Sequence, residues 1–185
     1  MKKRLLLHTC CAPCSTHCVK ELMDSYDVVM LFYNPNIHPG GEYYQRYQEA
    51  QKVSKALGVP LVEGEYAPEE WLEMVKGLEH EPEGGKRCSV CFGLRLAESA
   101  RYAKANGFDA FTTTMTISPH KDSDVINDIG ESLAAKHGIE WVHSDFKKKD
   151  GFRKSTEMSK EMGLYRQDYC GCFYSVRSSI ASPKE

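Results

Sequence analysis

Short apolar runs alternate with longer amphipathic stretches along most of the chain. Five of the runs read as strands: Arg4 to His8, Val28 to Tyr33, Pro60 to Gly64, Ala110 to Thr114 and Trp141 to Ser144. Between them apolar positions recur at helical spacing, from Pro13 to Met23, from Tyr43 to Leu57, onward from Pro68, from Cys88 and Cys91 to Asn106, and from Val125 to His137. Pro13 stands where a first helical turn tolerates a missing N–H, and Gly58 and Gly138 stand where helices end. Strands that alternate with helices predict an α/β fold, a five-stranded parallel sheet with helices on both faces. From Phe146 the pattern changes to a lysine-rich turn, a polar helix through Met162 and an aromatic tail. One α/β domain over 1–185 is expected, with 146–185 as a C-terminal helical and aromatic extension.

The eight cysteines alter this picture, because they fall into three groups: Cys10, Cys11, Cys14 and Cys18; Cys88 and Cys91; Cys170 and Cys172. No stretch is long enough to cross a membrane, and the apolar run after Lys2, Lys3 and Arg4 ends at His8, too early for a signal peptide. A cytoplasmic address is expected. Reducing cytosol disfavours structural disulfides and favours metal binding or thiol chemistry. The net charge of -2 argues against a uniformly basic nucleic-acid coat and leaves room for a local basic patch.

Cys10 and Cys11 follow the first strand at a helix start, where unpaired N–H groups and the helix dipole favour thiolate. Ligands of open parallel sheets bind beyond the carboxyl ends of the strands, so this loop and the Thr112 to Thr116 segment after strand four are expected to meet. Together with the Cys-x-x-Cys pair Cys88 and Cys91, the first pair makes four thiolate ligands suited to zinc or an iron–sulfur centre. Cys11-Ala12-Pro13-Cys14 also fits a thioredoxin-like dithiol, a reading that leaves Cys10 and the second pair without a role. Cys18 reads as a small core residue.

Cys170-Gly171-Cys172 admits a strained, easily reduced disulfide, two free thiols, or further metal ligands. Asn34, His38, Thr113, Ser118 and Lys121, in two turn-rich segments that follow strands, are candidates for binding a nucleotide-like substrate; turn and cap chemistry accounts for the same residues. No Walker-type loop and no Gly-x-Gly-x-x-Gly occurs. Lys147, Lys148, Lys149, Arg153 and Lys154, with Tyr165, Arg166, Tyr169, Phe173 and Tyr174, mix cations and aromatics as RNA-binding surfaces do. A solvated lysine face over core aromatics is the plainer alternative.

His8 to Cys14, Phe32 to Pro39, Arg87 to Cys91, the Thr112 to Lys121 block and Leu164 to Cys172 together resemble the cobalamin-independent epoxyqueuosine reductase family QueH. The resemblance spans nearly the whole chain. It implies reductive removal of the epoxide oxygen of epoxyqueuosine at the wobble position of tRNA anticodons. It also implies a 4Fe-4S cluster on Cys10, Cys11, Cys88 and Cys91, a further single iron beside it, and a redox-active Cys170/Cys172 disulfide. The expected sheet is similar to that of the adenine nucleotide alpha-hydrolase, or HUP, group. Because Cys10 to Cys14 stands where that group has its phosphate loop, ATP is not expected; that no cobalamin is expected follows from the resemblance to a cobalamin-independent family. Asp168, His120 and Tyr169 are candidate proton donors. The tRNA and an external electron donor are the expected partners, and the rival classes are a thioredoxin-like thiol-disulfide oxidoreductase and a structural zinc protein that binds tRNA without catalysis.

Overall fold

The computed structural model describes residues 1–176, so positions 177–185 of the expected extension lie outside the described residues. Five strands form one all-parallel sheet: β1 (Lys3–His8), β2 (Tyr26–Phe32), β3 (Leu61–Glu63), β4 (Ala110–Thr113) and β5 (Glu140–Trp141), in the order β3-β2-β1-β4-β5. Leu5, Leu6 and Leu7 are fully buried because β1 is central, and its register sets His8 opposite Thr113 of β4. The carboxyl ends of β1 and β4 therefore lie side by side, as the position of a switch point requires.

Alternation along β1 assigns the layers. Leu5 and Leu7 pack with Cys18, Val19 and Leu22 of α1 (Ala12–Met23) and Val53 of α2 (Gly40–Leu57), on the face where α1 also packs against α6 (Gly151–Glu161). Leu6 packs on the other face against Ala100 and Ala103 of α4 (Lys86–Ala105) and Ala134 of α5 (Ser123–His137). The short α3 (Pro68–Met74) precedes α4 and buries Trp71. Gly58 and Gly138 close α2 and α5 in the left-handed conformation, as their positions predict.

Strand five ends at Trp141, short of the expected Ser144, and strands two and four also stop one residue early. After Val142, whose N–H still bonds Phe111 O, the ladder gives way to a side chain: Asn127 Oδ1 accepts from Ser144 N at 3.2 Å and its Nδ2 donates to Ser144 O at 2.9 Å. Past β4, Thr114–Ile117 is a 3-10 turn, with Thr113 capping Met115 N. The polar helix α6 starts at Gly151, after Lys149 and Asp150, both with positive φ (51° and 61°).

Candidate metal and redox site

α1 begins directly at the end of the thiol loop. Its N-cap, Cys11, makes no side-chain cap bond, so the first-turn N–H groups stay open toward the thiols. The Sγ atoms of Cys10, Cys11 and Cys14 all lie within 4.8 Å of one another. Cys14 thus joins the adjacent pair, whereas Cys18, one turn further, is fully buried in the sheet-facing core. Thr114 Oγ1 donates to Cys10 Sγ at 3.3 Å, which ties the thiol loop to the end of β4.

Hydrogen bonds from the Cys11 and Cys14 thiols hold the Cys10 thiol well below its ordinary value, with Lys121 and Arg95 adding to the effect. Donating to that thiolate pushes Cys11 up to about 12 and raises Cys14 as well. The three sulfurs thus share protons among themselves, with Cys10 the most readily ionised. A cation held there would favour the deprotonated form of all three.

Cys88 and Cys91 lie on the first two turns of α4, outside the three-thiol group. Cys88 accepts a bond from Gly84 N at 3.2 Å and, like Cys10, packs against the core around Phe92 and Leu96. Cys91 is buried with Trp71, Val75 and Cys172, and burial pushes its thiol up to about 11. Two buried donors next to it, Trp71 Nε1 and Arg95 Nε, find no close oxygen or nitrogen acceptor among the described residues and face the Cys91 sulfur, countering part of that rise. Thiolate or sulfide acceptors suit those donors, and soft sulfur ligands suit iron or zinc. Arg95 is 2% exposed and donates to Asn34 Oδ1 at 2.7 Å. Burial opposes its charge, but the sulfurs of Cys91, Cys10 and Cys170 outweigh burial.

A cavity of about 270 Å³ opens over the three-thiol group, and Ser118, His120, Lys121, Asp168 and Cys170 are on its wall. Other residues named from sequence lie in the scaffold. Asn34 is buried and donates to Thr9 O at 2.9 Å; Thr113 is buried against His8, whose Nδ1 lies 2.8 Å from the Thr113 hydroxyl. Burial, then the Arg95 charge, hold the His8 imidazole down to about 3, so it is neutral and its Nε2 donates to Tyr33 O. His38 stacks on Phe173 with ring centroids 4.1 Å apart. Tyr169 lines the cavity, but its hydroxyl donates to His38 O at 2.5 Å, which occupies the proton a donor needs.

The turn-rich segment after β2 grips the tail. His38 N donates to Gly171 O at 2.8 Å, and Arg46 of α2 donates to Cys170 O at 3.0 Å, Tyr169 O at 3.2 Å and Glu42 Oε1 at 2.6 Å. Gly171 has φ +130°, and a Cβ there meets Ile37 Cγ1 at 3.0 Å, so only glycine fits between the two cysteines. Cys170 and Cys172 are both free thiols in this structure, where sequence allowed a disulfide. Arg46 gave no signal in the sequence, since a helical arginine reads as surface; here it is 2% exposed. Arg46→Met removes charge-assisted bonds worth about 1.5–3 kcal/mol each. Alkylation of Cys172, 7% exposed in the intact turn, is expected to accelerate more than about tenfold, with the melting temperature of the α/β core little changed. Mass-spectrometric labelling kinetics check this.

A model of the family described as Epoxyqueuosine reductase QueH matches residues 5–178. A Streptococcus pyogenes protein named Epoxyqueuosine reductase QueH is 44% identical over 183 residues, covering 96% of this chain and 72% of its own. The protein of that name from Haemophilus influenzae is 41% identical, covering 95% and 73%, and that from Thermotoga maritima 35%, covering 93% and 90%. Among solved structures, a predicted tRNA methyltransferase subunit from Methanocaldococcus jannaschii matches with TM-score 0.51 and 15% identity, over 85% of this chain and 74% of that one. The structural likeness concerns the fold.

Proposed function

Because the chain belongs to the epoxyqueuosine reductase QueH family, oxidoreductases that convert epoxyqueuosine to queuosine in tRNA, we propose that the thiol-lined cavity is where the epoxide is opened. The supporting observation is the meeting of three thiols within 4.8 Å with Cys170 on the wall of the same cavity. The substrate is the modified base at the wobble position of an anticodon, and the cytoplasm is where tRNA and reductant meet.

Converting an epoxide to an alkene and water takes two electrons and two protons. The Cys170/Cys172 dithiol contains both: the pair closes to a disulfide, the C–O bonds break, and the oxygen leaves as water. An external electron donor then reopens the disulfide. The strained one-residue spacing makes such a disulfide easy to reduce again.

Cys10, Cys11, Cys88 and Cys91 are proposed to hold a 4Fe-4S cluster, with Cys14 placed to hold a further single iron; such centres supply single-electron transfer and a Lewis acid for the epoxide oxygen. Arg95 neutralises sulfur charge from below. Lys121 serves the same end at the wall: burial opposes its ammonium, but the Cys170, Cys10 and Cys14 sulfurs outweigh burial and hold its pKa raised. His120 and Asp168, both exposed at the wall, are in this reading the groups that pass protons to the departing oxygen. The open N–H groups of α1 favour negative charge above the cavity floor.

The test is iron and sulfide analysis of anaerobically purified chain, followed by conversion of tRNA that bears epoxyqueuosine. About four irons per chain, or five with the single iron, with a broad visible charge-transfer band and product formation, are expected. Zinc alone, or no metal after anaerobic reconstitution, sinks the redox scheme.

A further inference from the structure

Phe152 is a large aromatic side chain, 38% exposed, on the wall of the thiol cavity. A lone exposed phenylalanine carries no meaning by itself. The turn that presents this one is unusual. Lys149 and Asp150 both adopt positive φ, and a Cβ on Gly151 meets Phe146 O at 1.7 Å. Glycine is thus obligatory immediately before Phe152. α6 uses Gly151, Ser155 and Ser159 as its buried positions, so Phe152 lies off the packed face and is not needed by the core.

Its neighbours are cationic. Lys148, Lys149, Arg153 and Lys154 are exposed around it. Lys148 reaches Asp145 at 3.5 Å, and Arg153 pairs with Asp150 and Glu157, whereas Lys149 and Lys154 pair with no carboxylate among the described residues. Exposed pairs of this kind yield readily to a phosphate. Lys147 Nζ donates to Ser123 Oγ at 3.0 Å, which fixes the turn to the start of α5.

The cavity of about 270 Å³ is smaller than the pockets of roughly 300–1,000 Å³ that enclose drug-sized ligands. It admits one extruded nucleobase and leaves the adjoining nucleotides outside. From this geometry, and resting on the reading of the cavity given above, we propose that Phe152 is a stacking platform for the unpaired base adjacent to the modified nucleotide, while Lys149 and Lys154 meet the flanking phosphates. The occupant is a single-stranded RNA loop, and Phe152 is a substrate-positioning residue. A stacked neighbour holds the extruded base in register with Cys170 below.

The experiment is fluorescence anisotropy of the metal-loaded chain with a fluorescein-labelled, unmodified anticodon stem-loop, read for wild type and for Phe152→Ala, Phe152→Leu and Phe152→Trp. Loss of one base–aromatic stack predicts about ten- to a hundredfold weaker binding for Ala and Leu, with Trp restoring wild-type affinity. Iron content and melting temperature remain at wild-type levels, and on full substrate KM rises more than kcat falls. Unchanged affinity in Phe152→Ala overturns the proposal. So does a Leu variant as tight as wild type, which reduces the side chain to apolar filling. Stem-loop binding is read without turnover, so weak variants in an enzyme with no activity would keep the platform and discard the chemistry. A wild-type chain that binds no stem-loop would remove the nucleic-acid face altogether.

Discussion

Replacing Cys10 and Cys11 together by serine is expected to strip iron from the protein and to lower turnover by at least about a hundredfold, the scale on which even outer-sphere groups of a metal site act. Cys11 is 2% exposed at the N-cap of α1, and Cys10 bonds to Thr114 at the end of β4, so both thiols are fixed by the carboxyl ends of β1 and β4. Serine keeps the size and removes the soft donor. Cys88→Ser with Cys91→Ser is expected to give the same loss of visible absorbance, because the proposed cluster takes its other two ligands from the first turns of α4. Cys18→Ser is the control: that thiol is buried in the core with Val19 and Leu22. Its exchange costs stability, by about 1–3 kcal/mol for an added buried hydroxyl, and leaves iron content intact. Iron analysis and chemical melts separate the cases. Full iron in the Cys88/Cys91 variant would confine metal binding to Cys10, Cys11 and Cys14.

Cys170→Ser and Cys172→Ser, singly, are expected to keep iron and the visible spectrum while multiple turnover falls by at least about a hundredfold, since a lone thiol stores one electron and cannot close the intramolecular disulfide. The backbone grip of the turn is unaffected, because Arg46 and His38 bond to carbonyls of residues 169–171 rather than to sulfur. Gel-shift thiol labelling after reaction with substrate reads the redox state directly: in wild type one disulfide forms per product when the external donor is withheld. Turnover at the wild-type rate in either variant would remove the dithiol from the electron path.

Much of the architecture was legible because it rests on local physics. Leu5 to Leu7 could only be a buried strand, Gly58 and Gly138 only helix ends, and Cys18 only core. What escaped were features made by residues distant in sequence. Asn127 replaces the last rungs of β5 with its own amide, so the strand stops at Trp141 although Val142 to Ser144 continue the pattern. Asn34 and Thr113 looked like ligand groups, yet the same polar atoms are needed to satisfy Thr9 O and the His8 ring in the packed loops. The first-turn position of Cys14 did set it apart from Cys18 in the sequence, but that its sulfur meets those of Cys10 and Cys11 needed the fold. The Asn34 to Gly40 segment had too many turn formers for a simple connection, and its function in the fold is to hold the tail, through partners more than a hundred positions later.

Arg46 reaches Cys170 across 124 positions of chain, and that span orders events during synthesis. At a ribosomal pace of roughly 5–20 residues per second, Cys10, Cys11 and Cys14 emerge on the order of ten seconds or more before the Cys-Gly-Cys turn that covers their cavity. Throughout that interval the nascent chain displays its sulfur ligands with nothing over them. Oxidants and stray copper or zinc have access, and any iron delivered early meets an uncovered site. For the metal centre proposed above, delivery after release rather than during elongation is the order that this topology favours.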